Sequence, residues 1–408
     1  MLFIGLVFPE SNSTAAGARM LQLLAFFSGK NYEIIFASAA QESLFSDNLT
    51  SLNVQQVSIE LNNASFDLFL TEFNPNIVVF DRFVSEEQFG WRVAENCPNA
   101  IRILDTEDLH CLRVARHHAF KKNKEFEIKN LFDLDITKRE IASIYRCDLS
   151  LIISSFEMEI LTNEFNISSD ILIELPFMLD KISDAEKLKS STVEDSVDFI
   201  SIGNFKHEPN WQSALFLKRT IWPLIRKQLP EARLLIYGAY ASQKVTDLHN
   251  DKEGFIVKGR VEDAHDVVSK ARVMLAPLQF GAGLKGKLID AMQCGTPSVT
   301  TTIGAESMHG NLPWNGFISD DSEDFAVKSV ELYTNKEAWK NAQQNGYDII
   351  NQLYDKSELS EKLLKRITYL HENLGSHRTQ NFLGNLLRHH TLQSTKYLSK
   401  WIEEKNSD

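Results

Sequence analysis

Short runs of apolar and β-branched residues alternate along this chain with longer stretches in which apolar residues recur at helical spacing. The runs in the first half are LFIGLVF, YEIIFAS, NIVVFD, AIRILD and DLSLIISS, and those in the second half are FISIG, RLLIYG, FIVKG, VMLAPL and SVTT. Alternation of this kind indicates βαβ units, in which parallel strands form a sheet with helices on both faces. The pattern therefore predicts an α/β protein with a parallel sheet in each half.

The stretch between the two halves, Asp180 to Asp198, is polar and charged and has almost no apolar periodicity. This composition is typical of an interdomain connection. We therefore predict one domain at 1–179, a linker at 180–198 and a second domain at 199–354. Residues 355–408 have a helical pattern and are expected to pack back toward the first domain. Apolar residues at helical spacing are expected to dock the last helix: Phe382, Leu386, Leu387, Tyr397, Leu398 and Trp401.

Composition and charge narrow the classes of function. The 408 residues are 43% hydrophobic and 24% charged, which is ordinary for a globular protein. A net charge of −12 argues against nucleic-acid binding, since that affinity depends on lysine and arginine neutralising phosphates. The four cysteines show no CxxC spacing, so neither a zinc site nor a disulfide framework is predicted. The amino end, MLFIGLVFPE, lacks the basic region of a signal peptide, and we expect a cytoplasmic protein whose membrane contact, if any, is peripheral.

A glycine-rich segment in the second half, GAGLKGKLIDAMQCGTPSV, runs from Gly281 to Val299. The run ARVMLAPL before it predicts a strand, and KGKLIDAMQC predicts a helix that ends at Gly295. The loop therefore lies where an open α/β sheet binds ligands, in front of a helix N-terminus that favours phosphate. Lys285 and Lys287 add positive charge. The segment predicts a phosphate-binding loop.

Two general signatures fit this loop only in part. The P-loop fails at its last position, where Leu288 replaces the Ser or Thr that holds magnesium. Gly281, Gly283 and Gly286 fit the dinucleotide fingerprint, and Glu306 is suitably placed for a ribose. That fingerprint should follow the first strand of its unit, whereas here the first strand, FISIG, leads into NFKHEPN. An NAD-dependent dehydrogenase is therefore disfavoured.

Three segments of the second half carry a family resemblance: SIGNFKHEPNWQSALFLKRTIWPLIRKQLPEARLLIYG, VKGRVEDAHDVVSKARVMLAPL and GAGLKGKLIDAMQCGTPSVTTTIGAE. In this order they resemble the donor domain of retaining GT-B glycosyltransferases of family four (glycosyltransferase group 1), whose signature runs roughly G-x-G-x-K-x-K-x-x-E-A-M-x-x-G-x-P-V-V. The first half resembles the acceptor domain more loosely, through SNSTAAGARMLQLL and DTEDLHCLRVAR. The resemblance implies two doubly wound, Rossmann-like domains that face each other across a cleft.

The resemblance assigns roles on the donor side. Asp290 is expected to accept hydrogen bonds from the ribose hydroxyls, and Lys287 and Lys206 are expected to act as catalytic cations that stabilise the departing diphosphate. The other residues expected to bind the donor are Gly17, Gly203, Gly281, Ala282, Gly283 and Leu284. The nucleotide sugar is a substrate, and no cofactor or metal is expected.

Two positions depart from the family pattern. Asp290 stands where relatives usually have glutamate, and Ala282 stands where many have a second acid that helps to orient the sugar. We therefore expect the sugar hydroxyls to use backbone N–H groups from Gly281 to Leu284. The identity of the sugar does not transfer from the family.

The first half carries weaker signals. Gly17 follows the loop after the first strand, where close approach of the donor would require glycine, and a helix-entry glycine is the alternative. Arg19 fits a phosphate contact or, preferably, a solvated helix charge. In DTEDLHCLRVAR, Asp105, Glu107 and Asp108 precede His110 at a strand end. The resemblance makes His110 the residue that positions the acceptor hydroxyl or contacts the sugar, and a packed histidine is the alternative.

The resemblance implies transfer with retention from a nucleotide-sugar donor to a glycan or lipid-linked acceptor, in surface polysaccharide or glycoconjugate synthesis. Two alternatives keep the fold: an epimerase or phosphate-accepting sugar synthase, and a catalytically silent scaffold that binds glycan or a partner transferase. The basic run from Arg113 to Lys124 fits either an anionic membrane surface or a solvated helix face, and the acidic chain favours the second. Oligomeric state is open.

Overall fold

The protein contains two parallel β-sheets, seen in a computed structural model that describes residues 1–406 without the side chains of 390–393. The strands of the first sheet are β1 Leu2–Gly5, β2 Ile34–Ser38, β3 Val54–Ser58, β4 Ile77–Asp81, β5 Ile101–Asp105, β6 Leu149–Ile152 and β7 Leu172–Glu174. Their order is β3-β2-β1-β4-β5-β6-β7. Every adjacent pair is parallel.

The second sheet repeats this plan with six strands. They are β8 Val197–Ile202, β9 Leu234–Tyr237, β10 Phe255–Gly259, β11 Ala271–Ala276, β12 Ser298–Thr300 and β13 Gly316–Ile318. Their order is β10-β9-β8-β11-β12-β13, again with parallel pairs throughout. Every apolar run in the sequence that predicts a strand contains one, and the prediction of a parallel α/β sheet in each half is confirmed.

Three strands have no counterpart among the predicted runs. β3 and β7 lie at the two edges of the first sheet, and β13 lies at an edge of the second. The sequence of β3 is VQQVS, in which most side chains are at least partly exposed. β7 and β13 have three residues each, too few to show a period. Edge strands need little apolar surface because one side faces no neighbour, so their sequences carry a weak signal.

Helices connect these strands. They are α1 Ala15–Ser28, α2 Ser65–Phe73, α3 Arg82–Asn96, α4 His110–Lys121, α5 Asp135–Arg146, α6 Ser155–Glu159, α7 Asp184–Lys187, α8 Glu208–Phe216, α9 Trp222–Gln228, α10 Gln243–Thr246, α11 Ala264–Val268, α12 Gly286–Gln293, α13 Thr302–Ala305, α14 Ser322–Thr334, α15 Lys336–Leu353, α16 Lys356–Gln380 and α17 Phe382–Asn406. A π-helical turn follows α6 at Ile160–Glu164, and another joins α8 to α9 at Leu217–Ile221.

Both faces of each sheet are covered by an apolar core. Along β1, Leu2 and Phe3 belong to different core clusters, because successive side chains point to opposite faces. Along β8, Phe199 and Ile200 divide in the same way. This double coverage explains why the central strands read as continuous apolar runs rather than as alternating ones.

The chain crosses from one domain to the other twice, and the two crossings lie side by side at Leu179 and Asp355. The predicted linker includes the short helix α7, and its last residues, Val197 and Asp198, belong to β8. Leu179 just before it pairs with Asp355, since its N–H donates to Tyr354 O and its carbonyl accepts from Lys356 N, both at 2.8 Å. From there α16 returns to the first sheet.

The two terminal helices pack on the first sheet's side. Leu363, Ile367 and Leu370 of α16 join the apolar cluster that contains Phe3. The last helix, α17, lies against α5 and α3. Its docking differs from the sequence expectation: Phe382, Tyr397 and Trp401 are 72%, 67% and 60% exposed. Small and polar residues make the contact instead, with Gly384 close to Tyr145 O and Ser399 bonded to Asn62. Residues 407 and 408 of the predicted terminal segment lie outside the described residues.

The order of strands identifies the ligand-binding edge of each sheet. The chain direction across the sheet reverses between β1 and β4 and between β8 and β11, where neighbouring strands are not consecutive. Loops that follow such strands diverge and leave a crevice at their carboxyl ends. Both crevices open into one cavity between the sheets.

Candidate active site in the cleft between the sheets

The cleft between the two sheets encloses a cavity of about 940 Å³. Its first wall is formed by residues 6–18, which follow β1, together with the residues that follow β4 and β5. Its second wall is formed by the loops after β8, β9, β10 and β11, and by the first residues of α12. A pocket of this size can accommodate a ligand as large as a nucleotide sugar.

Lys287 holds a defined position in the second wall. Its Nζ donates to Asn210 Oδ1 at 2.7 Å. Gly203, at the end of β8, makes room for this pair, because a Cβ there would lie 2.7 Å from Asn210 Cγ and 2.9 Å from Lys287 Nζ. Burial lowers the pKa of Lys287 to about 8, against the opposing effect of Asp290. A lysine at the start of α12 adds a full charge to the partial positive charge of a helix N-terminus.

Asp290 lies one helical turn further along α12 and also lines the cavity. Its side chain is 33% exposed, and its Oδ1 lies 3.5 Å from His265 Nε2. The hydrogen bond to Asp290 raises the pKa of His265. The carboxylate retains room to accept further hydrogen bonds from a ligand.

The glycine loop is held from the first domain. Glu157 of α6 is buried, and its Oε1 accepts hydrogen bonds from Leu109 N at 3.0 Å and from Gly283 N at 2.9 Å. Burial raises the pKa of Glu157 to about 8. The expectation that the sugar hydroxyls use the N–H groups from Gly281 to Leu284 stays a prediction, and at Gly283 it would require Glu157 to release the N–H that it now accepts.

The rest of the loop packs closely. Gly283 has a φ of +62°, and a Cβ there would lie 2.9 Å from Asp108 Cβ, so only glycine fits. Ala282 packs against the apolar core of the first domain, and Leu284 belongs to a core cluster of the second. Lys285 is turned back on the loop, where its Nζ donates to Gly283 O at 2.7 Å.

A buried ion pair joins the two domains behind this loop. Arg116 of α4 donates to both carboxylate oxygens of Glu306, at 2.8 and 2.6 Å, and to Gly281 O at 2.8 Å. Nearby, His117 stacks on Phe280 with ring centroids 4.7 Å apart. The dinucleotide interpretation would use Glu306 for a ribose, but this carboxylate is engaged by Arg116.

The residues after β5 form a polar cluster on the first wall. Asp108 pairs with Arg113, whose Nε lies 2.8 Å from Asp108 Oδ2, and lies 3.4 Å from His110 Nε2. Burial lowers the pKa of His110 to about 4, so the imidazole is neutral at pH 7. Glu140 accepts from His110 N and Cys111 N and thereby caps α4. His110 is positioned in the cavity as a neutral hydrogen-bonding group.

Asp81, Arg82 and Glu107 line the same wall. Arg82 NH1 lies 3.2 Å from Asp81 Oδ2, which also accepts from Leu6 N at 3.0 Å. Burial raises the pKa of Asp81, and burial together with the charge of Asp105 raises the pKa of Glu107. Asp81, Asp105 and Glu107 thus lie close together, mostly buried, at the ends of the neighbouring strands β4 and β5.

A second interdomain contact closes the other end of the cleft. Tyr240 OH donates to the carboxylate of Glu10, at 2.9 and 3.0 Å. The Nζ of Lys206 lies 3.5 Å from the centre of the Tyr240 ring. Lys206 therefore lies at the border of the cavity, where its ammonium group makes a cation–π contact with Tyr240, the residue that is hydrogen-bonded to Glu10.

Comparison with known proteins relates the second half of the chain to a protein family. Residues 196–335 match the family model described as "Glycosyl transferases group 1". A Klebsiella pneumoniae protein, described as an uncharacterized protein in the cps region, is 23% identical over 235 residues, 56% of this chain and 58% of that protein.

Two solved structures share the architecture. HepE from Anabaena, in complex with UDP and glucose, has a TM-score of 0.66 at 11% identity, covering 90% of this chain and 99% of that chain. TarM from S. aureus, in complex with alpha-GlcNAc-glycerol and UDP among others, has a TM-score of 0.57 at 16% identity, covering 74% of this chain and 57% of that chain. This chain thus spans little more than half of the Klebsiella protein and of TarM.

The chain has the GT-B fold, and its second half carries a group 1 glycosyltransferase domain. The predicted fold class, two Rossmann-like domains facing each other across a cleft, is confirmed. In this GT-B molecule the expected donor residues Lys287, Asp290, Gly203 and Lys206 meet in one cavity, although they come from separate loops.

The expectation for Arg19 in the first domain is wrong, whereas the prediction for Gly17 remains beside its structural alternative. Arg19 is neither solvated nor directed at a ligand: it is 1% exposed and pairs with Asp105, with NH2 2.8 Å from Asp105 Oδ1. Gly17 lines the cleft, but its N–H donates to Thr14 Oγ1, and a Cβ would lie 2.5 Å from the backbone of Glu10. The packing of the preceding loop is therefore sufficient to explain this glycine.

The basic run Arg113 to Lys124 does not act as one surface. Arg113 and Arg116 serve the cleft and the domain interface, and the exposed positions of the run are His118 and the residues from Lys121 to Lys124. No helix within residues 1–406 is long and apolar enough to cross a membrane. Within the same residues, no three histidine, cysteine, aspartate or glutamate side chains are arranged to hold a metal ion.

Sequence reasoning missed several residues of this site. Three of them, Asn210, Arg82 and Glu157, lie in the first turn of a helix that follows a strand. Their position at the carboxyl edge of a parallel sheet was the only signal that could have indicated a role in ligand binding. Arg116 and Tyr240 make contacts that depend on how the domains face each other. No local pattern in a sequence encodes such contacts.

Proposed function

We propose that this protein is a retaining glycosyltransferase that moves a sugar from a nucleotide-sugar donor to a glycan or lipid-linked acceptor. The observation that carries the proposal is Lys287, held by Asn210 at the N-terminus of α12 in a cleft between two Rossmann-like sheets. This arrangement, in a group 1 glycosyltransferase domain, provides a fixed cation and a helix N-terminus where a diphosphate would leave.

On the donor side, Lys287 would neutralise the departing diphosphate, with Lys206, from the loop after β8 in the same wall, as a second cation. Asp290 would accept hydrogen bonds from the ribose hydroxyls. Uridine is the base we propose, because HepE and TarM were both solved with UDP. These charges can stabilise the transition state without a metal, so we propose metal-independent transfer.

The proposed chemistry retains the configuration of the sugar. The bond from the sugar's anomeric carbon to the diphosphate breaks while the bond to the acceptor oxygen forms on the same face. The acceptor proton goes to the departing phosphate oxygen. No carboxylate nucleophile is needed. His110 would orient the acceptor as a neutral hydrogen-bonding group.

Surface polysaccharide assembly is the process we propose. The similarity to a protein of a Klebsiella pneumoniae cps region supports it. Cytoplasmic location and peripheral membrane contact are parts of the same proposal.

One observation favours a second candidate, a catalytically silent GT-B subunit. The N–H of Gly283 is engaged by Glu157, and Ala282 packs on apolar residues of the first domain. A loop occupied in this way would bind a nucleotide while leaving the sugar without its usual partners.

The test combines thermal shift with donor hydrolysis, using UDP, GDP, ADP, CMP, their sugar conjugates and NAD. A ligand at 100 times its Kd should stabilise the protein by about 2.7 kcal/mol. We expect a shift and slow hydrolysis with a UDP-sugar, unchanged by EDTA and lost in Lys287→Ala and Asp290→Ala, with exposed Lys270→Ala as the control. Nucleotide binding without turnover with any donor or acceptor would support the silent subunit. A shift with NAD alone would overturn both candidates.

A further inference from the structure

The wall opposite the glycine loop contains two residues whose backbone is in the left-handed region, which is unfavourable for residues with side chains. Arg82 has a φ of +66° and Glu107 a φ of +63°, although neither is glycine or asparagine. Arg82 directly follows β4 and Glu107 follows β5, and the two strands are paired in register at Asp81 and Asp105. Strain of this kind costs about 1 to 3 kcal/mol per residue and collects at functional sites.

The same wall contains unsatisfied carboxyl oxygens. Asp81 is 5% exposed and Glu107 is 8% exposed. Neither Asp81 Oδ1 nor Glu107 Oε1 has a hydrogen-bond partner among the described residues. A buried polar atom without a partner is unfavourable, so both oxygens are prepared to accept hydrogen bonds from a ligand in the cavity that they line.

The position of this wall relates it to the donor side. Glu107 immediately precedes Asp108, and Asp108 Cβ is the atom that would lie 2.9 Å from a Cβ on Gly283. The chain after β5 therefore touches the glycine loop. A ligand bound to Asp81, Arg82 and Glu107 would lie in the same cavity as Lys287 and on the first-domain side of it.

We propose that Asp81, Arg82 and Glu107 bind the acceptor and select a neutral carbohydrate, with Glu107 accepting a hydrogen bond from one of its hydroxyl groups. This inference rests on the proposed transferase function. A hydroxyl group both donates and accepts hydrogen bonds, and the site presents carboxyl oxygens beside a guanidinium. An anionic acceptor group would be repelled by the two carboxyls, which outnumber the single guanidinium of Arg82.

The experiment uses the full chain with the nucleotide sugar that it hydrolyses fastest. The acceptor probes are p-nitrophenyl glycosides of glucose, galactose, mannose and N-acetylglucosamine, with the glucuronide as an anionic probe. The variants are Glu107→Ala, Glu107→Gln and Asp81→Asn. The matched control is Glu72→Gln, because Glu72 is at an exposed position of α2 in the same domain. Melting temperature and nucleotide Kd check that each variant folds.

We expect at least one neutral glycoside to saturate transfer and the anionic glucuronide to fail. Glu107→Ala should raise the acceptor KM by about tenfold or more, and Glu107→Gln, which keeps one oxygen, should raise it by about threefold. Both Glu107 variants should change the acceptor KM more than the donor KM, and Glu72→Gln should keep donor hydrolysis and both KM values within about twofold of the wild-type values. Asp81→Asn should follow the same pattern.

Three results would overturn the inference. Transfer to the glucuronide, or to none of the neutral glycosides while donor hydrolysis proceeds, would exclude a neutral-sugar site and leave the donor site intact. A parallel loss of donor hydrolysis and transfer in Glu107→Ala would assign Glu107 to the donor or to the fold. Failure of the wild type to bind any sugar nucleotide would remove the proposed function itself, and the inference with it.

Discussion

The two walls of the cleft, the glycine loop after β11 and the strand ends after β4 and β5, serve one cavity by different means. The loop uses glycine at Gly283, where φ is positive and a side chain would collide with Asp108. The opposite wall forces Arg82 and Glu107 into a similar backbone region. Glycine allows close approach at no local strain, whereas strained residues with side chains bring functional groups into the cavity. A loop of the first kind can be recognised in a sequence, and a wall of the second kind cannot.

The walls also differ in charge. The second domain contributes Lys287 and a helix N-terminus, which suit an anion. The first contributes Asp81, Glu107 and Asp108, balanced by Arg82 and Arg113. The division of the cavity into a cationic side and a mixed side is consistent with an anionic donor that meets a neutral acceptor.

The largest effect should come from the cationic wall. Lys287→Ala removes the cation held by Asn210, and we expect donor turnover to fall by about 100-fold to 1000-fold, as when a transition-state donor is lost. Steady-state hydrolysis and transfer rates measure it. Lys270→Ala, at an exposed position, is the control. A change of less than about threefold in Lys287→Ala would place the phosphate elsewhere on this wall.

The next effect tests what holds the walls together. Arg116→Ala removes a buried partner of Glu306 and of Gly281 O, so we expect a loss of about 3 to 5 kcal/mol of stability, read from unfolding in urea. The matched control is Arg139→Ala, which breaks an exposed pair with Glu87 and should cost no more than about 1 kcal/mol. Equal losses in the two variants would mean that the interdomain pair contributes nothing beyond a surface pair.

A third effect depends on pH. The folded-state pKa of Glu157 is about 8, above its ordinary value of 4.5, so the folded protein binds the proton more tightly than the unfolded chain. Its contribution is most favourable below pH 4.5 and is lost as the pH rises to about 8. Glu157→Gln keeps an oxygen for both N–H groups and does not titrate. Relative to wild type it should gain about 3 kcal/mol of stability across this range.

Unfolding of wild type and variant at several pH values measures this difference. Glu164→Gln, at an exposed position on the adjacent π-helical turn, should reproduce the wild-type profile. Parallel profiles for wild type and Glu157→Gln would show that Glu157 remains ionised and that the loop is held by a full charge.

The smallest effect addresses the glycine loop itself. Gly283→Ala places a Cβ at φ +62°, 2.9 Å from Asp108 Cβ, and should destabilise the protein by about 2 kcal/mol, measured by thermal unfolding. Gly375→Ala, inside α16 with open space around it, should instead stabilise by about 0.5 to 1 kcal/mol. If Gly283→Ala left the stability of the protein unchanged, the contact between the glycine loop and Asp108 would be looser than this structure shows.

The sequence predicted the elements whose signals are local. Each buried central strand is a continuous apolar run because helices cover both faces of its sheet, and β3, β7 and β13 were missed because edge strands lack this pattern. The loop that begins at Gly281 and the helix that begins at Gly286 could also be predicted, because glycine and helix signals depend only on residues adjacent in the sequence.

Contacts across the cleft had no local signal. Arg19 was expected to be solvated and is buried, because the carboxylate of Asp105 at the end of β5 and the carbonyl of Leu175 both accept hydrogen bonds from it. The apolar residues of α17 were expected to dock and are exposed, because small residues make the closest contacts.

By itself, then, the sequence determined two parallel α/β halves, the ligand-binding edge of each and a glycine loop facing a helix N-terminus, since all of these follow from periodicity and backbone freedom within a few residues. The tertiary structure decided the rest. Glu157 meets Gly283 and Arg116 meets Glu306 across separations of 126 and 190 residues. Asp81 and Glu107 meet because β4 and β5 pair in register. Such pairings depend on how sheets and domains face one another, and packing over the whole molecule sets that relation.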